Sequence, residues 1–133
     1  MSAEVEILRK YRTIAVVGLS SDEARDSHSV SAYMQAAGYR ILPVNPAETE
    51  VLGEKAYPTV ASIPAAPEIV NVFRRPEAVP GVVDDAIAAG AKVIWMQEGI
   101  VNEDAAAKAR EAGLEVVMDR CIRTEHRRMA ASA

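Results

Sequence analysis

Short aliphatic runs alternate along this chain with longer amphipathic stretches. Thr13-Ile14-Ala15-Val16-Val17, Arg40-Ile41-Leu42-Pro43-Val44, Ile69-Val70-Asn71-Val72-Phe73, Lys92-Val93-Ile94-Trp95-Met96 and Glu115-Val116-Val117-Met118 are almost continuously apolar, the pattern of strands covered on both faces. Between them the apolar positions recur at helical spacing over residues 3–11, 28–37, 80–89, 103–112 and 121–128. Ser27 or Ser29 is placed to cap the second of these helices and Asn102 the fourth. Pro76 and Pro80 suit the start of the third. Residues 45–67, with Pro46, Pro58, Pro64 and Pro67, read as irregular apart from a short helical turn at 60–63, and residues 130–133 as a frayed tail. Three joints repeat one grammar: Ala37-Gly38-Tyr39, Ala89-Gly90-Ala91 and Ala112-Gly113-Leu114 each end a helix in glycine and start a strand within two residues.

Repeated strand–helix units make a parallel sheet with right-handed crossovers. The expected fold is therefore α/β: one Rossmann-like doubly wound domain over residues 1–133, with five parallel strands and helices on both faces. Numbering those strands along the chain, the expected order is 3-2-1-4-5, with a ligand crevice at the strands' C-terminal ends between the first and fourth.

Composition narrows the function. The 133 residues are one domain's worth, half of them hydrophobic and only 5% aromatic, so the core is aliphatic. A formal charge of −4 argues against general nucleic-acid binding, whose affinity comes from cations on phosphates. One cysteine excludes an internal disulfide, and His28 and His126 lack ligand spacing, which argues against a metal site. The first twelve residues lack the apolar core of a signal peptide, and no run reaches the ~20 residues that span a bilayer. A cytoplasmic protein is expected, with no membrane partner.

The crevice rule nominates five loops. Gly18 to Ser27 offers a glycine turn, the hydroxyls of Ser20 and Ser21, the cation Arg25 and a helix start, all suited to a phosphate. A solvated loop with a serine cap is the plainer reading. Asn45-Pro46 stands where a nicotinamide-dinucleotide protein carries the acid that binds its ribose, so the site is not built for that cofactor. Asn45 is equally well a turn residue before Pro46. Arg74 and Arg75 end the third strand, where guanidinium groups match phosphate geometry. Gln97-Glu98-Gly99 and Asp119-Arg120-Cys121 complete the set. Cys121 opens the last helix, where the dipole favours a thiolate, although a lone cysteine is more often an inert small hydrophobe. Arg120, Arg123, Arg127 and Arg128 read as a solvated helix face, and Trp95 as core. No nucleophile, base and orienting group come together in sequence.

Taken together, Ile14-Ala15-Val16-Val17-Gly18-Leu19-Ser20, Arg25-Asp26-Ser27, Gly38 to Pro46, Leu52-Gly53-Glu54-Lys55-Ala56-Tyr57-Pro58, Val72-Phe73-Arg74-Arg75, Trp95-Met96-Gln97-Glu98-Gly99-Ile100 and Met118-Asp119-Arg120-Cys121-Ile122 resemble the small single-domain CoA-binding proteins. They are similar also to the CoA-binding domain of the succinyl-CoA synthetase α subunit. The resemblance implies coenzyme A or an acyl-CoA laid across the strand ends. Gly18, Leu19, Ser20, Ser21 and Arg25 would meet its phosphates. Val44, Asn45 and Pro46 would line the nucleotide, with Phe73, Arg74 and Arg75 near the adenosine end. Met96, Gln97 and Glu98 would follow the pantetheine arm, and Cys121 falls where the synthetase domain has an Asn-Cys pair. The second glycine of the synthetase's first loop is replaced here by the insert from Ser21 to Ser27. The resemblance covers only the synthetase's CoA-binding domain and not its phosphohistidine or ATP-binding domains, so ligase activity is not expected to transfer.

Non-catalytic binding of CoA is the reading these residues favour. Its alternatives are an enzyme on the same scaffold, a redox sensor joining Cys121 to the CoA thiol, and a subunit serving a homo-oligomer or another protein.

Overall fold

The computed structural model describes residues 2–132. Its main sheet contains β1 (Thr13–Val17), β2 (Arg40–Val44), β5 (Ile69–Val72), β6 (Val93–Met96) and β7 (Glu115–Val117), all parallel, in the order β2-β1-β5-β6-β7. A two-stranded hairpin, β3 (Glu50–Val51) and β4 (Glu54–Lys55), interrupts the stretch expected to be irregular. Leu52 and Gly53 turn it with φ of 56° and 77°, the two successive positive values of a tight hairpin turn.

The fold class is as expected, but the strand order is 2-1-3-4-5 rather than 3-2-1-4-5. Pro43 supplies the reason. It has no N–H, and its carbonyl accepts from Tyr57 N at 2.9 Å on the side of β2 away from β1. The returning chain also bridges Tyr57 to Val44 and covers that edge. A proline strand closed in this way belongs at the sheet edge, so β5 pairs with β1 on its other side. The switch point therefore lies between β1 and β5, the first and third strands.

Alternate residues of each strand feed two cores. Ala15, Val17, Val70, Val72, Ile94 and Met96 face α3 (Val79–Ala89) and α4 (Glu103–Glu111). Ile14, Val16, Ile69, Val93 and Trp95 face α1 (Ala3–Lys10), α2 (Asp26–Ala36) and α5 (Ile122–Ala131). Glu68 holds the base of the sheet: one of its carboxylate oxygens accepts from the N–H groups of Arg12 and Thr13, at 2.9 and 3.0 Å.

The helices depart from expectation at their ends. Residues 130 and 131 belong to α5 instead of a frayed tail, with Ser132 as its C-cap, and residue 133 lies outside the described residues. Arg25, not a serine, occupies the N-cap of α2 and makes no side-chain cap. Ser27 instead accepts from Ser20 N at 3.1 Å, fastening the preceding loop. Asn102 caps α4 through Ala105 N at 3.0 Å. Among the described residues no helix is long and apolar enough to cross a membrane.

Candidate functional site

Gly18 ends β1 where three strands converge. Its N–H donates to Val44 O at 2.8 Å, and Phe73 N donates to Val17 O at 2.9 Å, so the tips of β2 and β5 press on it from either side. A Cβ there would stand 2.4 Å from Phe73 O, and φ is +92°. Only glycine meets both demands without strain. The loop that follows is internally braced. Ser21 N donates to Glu48 at 2.7 Å, Asp22 N to the Ser20 hydroxyl at 3.0 Å, and His28 Nδ1 to Ser20 O at 2.9 Å. The Ser20 and Ser27 hydroxyls each accept one backbone N–H, and each keeps its own hydrogen to donate.

Four adjoining cavities run along the C-terminal edge of the sheet. The first, about 420 Å³, lies between Val44, Pro46, Thr59 and Arg74. The second, about 270 Å³, is bounded by Gly18, Ser20, Arg25, Asp26, Ser27 and Phe73. The third, about 180 Å³, shares Asp26 and Phe73 with it and continues to Gln97, Glu98, Cys121 and Arg123. The fourth, about 290 Å³, takes over at Glu98 and Cys121 and ends against Arg120, Thr124 and Arg128. Shared walls join the last three into one groove across the tips of β1, β5, β6 and β7.

Gln97 and Cys121 organise the far end. Gln97 is 5% exposed, and its Oε1 accepts from Ile122 N at 2.9 Å, so a side chain after β6 caps α5. Asp119, at φ 62°, accepts from Gly99 N at 2.7 Å and ties the two neighbouring loops together. Burial pushes the Cys121 thiol up, but the N–H groups of Thr124 and Arg123, with the Gln97 and Thr124 side chains, outweigh it and leave the pKa below that of an ordinary thiol.

Against this geometry, the family profile described as a CoA binding domain matches residues 12–127. The chain belongs to the CoA-binding domain family. It is 49% identical over 121 residues to the uncharacterized protein YneT of Bacillus subtilis, covering 91% of this chain and 90% of that one. A hypothetical protein from Pyrococcus horikoshii OT3 superposes with a TM-score of 0.93 at 44% identity, over 96% of this chain and 89% of the other. The acetate–CoA ligase [ADP-forming] I of Archaeoglobus fulgidus is 22% identical in an alignment that covers 84% of this chain but only 18% of the ligase.

Within this CoA-binding domain the sequence-nominated residues divide. Gly18, Ser20, Arg25, Phe73, Gln97, Glu98 and Cys121 line the continuous groove, and Val44, Pro46 and Arg74 line the cavity beside it. Leu19 and Met96 are fully buried in the cores, leaving only their backbone near the edge. Asn45 has its amide on Leu19 O at 3.1 Å and its carbonyl on Ala47 N at 2.9 Å, bracing one loop against the next. Ser21 and Arg75 are exposed and lie outside the cavity walls described. Sequence reasoning passed over Asp26, which borders two cavities, and Arg123, hidden among arginines that read as a solvated face.

Proposed function

We infer that this domain binds coenzyme A or an acyl-CoA along the groove, as a binding module and not as a catalyst. The observation carrying this reading is the groove itself. It offers hydroxyls, a helix start and Arg25 near Gly18, with Arg74 alongside, and it passes a half-buried thiol farther along. Donors suited to phosphates at one end of an elongated groove match a molecule with an anionic nucleotide at one end and a thin arm at the other. Family membership and the relative named acetate–CoA ligase favour the same ligand. The binding-only reading draws support from the histidines: neither His28 nor His126 lines the two cavities that Cys121 borders. Nicotinamide dinucleotide is disfavoured because the position after β2 that carries its ribose-binding acid is Asn45, committed to two loop contacts.

Calorimetry decides the matter. CoA should bind and NAD should not, and Arg74→Ala should weaken CoA by about tenfold, the loss of a charge-assisted contact to phosphate. Equal affinity for the two cofactors, or no CoA binding, would overturn the assignment.

A further inference from the structure

Two guanidinium groups flank a cluster of rings on the face formed by α1, α2 and α5. Arg127 lies 5.1 Å from the centroid of the Tyr33 ring, and Arg12 lies 5.3 Å from that of Tyr39. His126 stands edge-on to both tyrosines, at 5.4 and 5.7 Å. A ring holds a cation in place without neutralising it. Both arginines are exposed, and among the described residues neither has a carboxylate within ion-pair distance. Glu68 is the acid that faces Arg12, but its Oε1 already accepts from Arg12 N, Thr13 N and the Thr13 hydroxyl. Arginine stacked on tyrosine is the pairing that dominates protein interfaces, and a side chain already fixed in place loses little freedom on docking.

The other face of the sheet carries the complement. Glu103 and Asp104 open α4, exposed and without an ion pair among the described residues. The helix dipole accounts for two acids at that end. It does not account for Val101 just before them, 44% exposed, where the other large hydrophobic side chains described are covered.

We propose that the patch of Tyr33, Arg127 and Arg12 is an interaction surface for a second copy of this chain, which presents Val101, Glu103 and Asp104 to it. Val101 covers the Tyr33 ring, and the two carboxylates take up the two guanidinium groups. A two-fold contact through the arginine face would set like charges together. Because the complementary patches lie on opposite faces of one sheet, they cannot close on each other in a pair, and copies add head to tail. This contact is independent of what the groove binds.

Sedimentation velocity at low salt and rising protein concentration tests it. The average mass should climb past that of a dimer, and should return to that of a single chain near 1 M salt, where the screening length is about 3 Å. Arg12→Glu with Arg127→Glu should raise the midpoint concentration for association about tenfold or more, and so should Glu103→Lys with Asp104→Lys. Mixing the two variants should restore association, because each keeps the patch that the other has lost, and that recovery also shows both to be folded. A wild type that stays monomeric at low salt, or stops at a dimer, overturns the proposal. Association that survives Arg12→Glu with Arg127→Glu overturns it as well.

Discussion

Gly18 is the residue on which the site's geometry turns. Any side chain there meets the Phe73 carbonyl and must also adopt a left-handed backbone. Gly18→Ala should therefore cost about 2 kcal/mol or more, read as a lower denaturant midpoint at unchanged slope. Cys121 makes a second residue-scale prediction. Its lowered pKa means that the rate of iodoacetamide alkylation should climb at lower pH than for a free thiol, and Gln97→Leu should move the profile back up. An unshifted profile in the wild type would refute the stabilised thiolate. At this scale the sequence was legible where a residue type has few uses: Gly18 as the turn after β1 and Asn102 as a helix cap stood out, whereas the cap expected at Ser27 or Ser29 is Arg25. Arg123 did not, because an arginine among arginines carries no mark until its Nε is seen buried without an acceptor.

Among the elements, α5 is attached through a histidine, so its attachment should depend on pH. His126 sits edge-on to the rings of Tyr33 and Tyr39 and is bonded to the Tyr33 hydroxyl at 2.8 Å. Arg127 lies over Tyr33, and Arg12 over Tyr39. Burial, then the Arg12 charge, lowers the pKa of His126. The folded state thus binds its proton less readily than the unfolded chain. Stability from this contact is complete above the ordinary histidine range and is lost as pH falls through it toward the lowered folded value. Thermal midpoints of the wild type should drop across that window more steeply than those of His126→Phe, and parallel curves would refute the coupling. The elements themselves were largely legible, since glycine joints and aliphatic runs are local signals. Their neighbours in the sheet were not, except through Pro43, whose missing N–H marks an edge strand before any coordinates are seen. The hairpin at residues 50–55 escaped notice because its two-residue strands are too short for alternation to register.

At the scale of the whole molecule, charge and topology act against each other. The chain is acidic overall, at −4, yet Arg25 and Arg74 face the cavities at the strand tips. The same cavities hold Asp26, Asp84 and Asp85, so on the CoA reading the attraction comes from individual guanidinium–phosphate contacts, and affinity should fall as salt rises from low to moderate ionic strength. Calorimetry across that range checks this: a flat response would mean that the arginines make no contact with phosphate. The rule placing ligands at strand C-termini nominates this edge from sequence, because parallel strands send all their tips to one side, but the switch point lies between the first and third strands and not the first and fourth.

The closed flank of β2 has a consequence for assembly. With Tyr57 lying along that border and Pro43 offering no donor, the sheet has only one lip left to which a foreign strand can be stitched, that of β7. Since β7 leads through Asp119 to Arg120 and Cys121, any visitor that lengthened the sheet would arrive beside the end of the groove that those residues line.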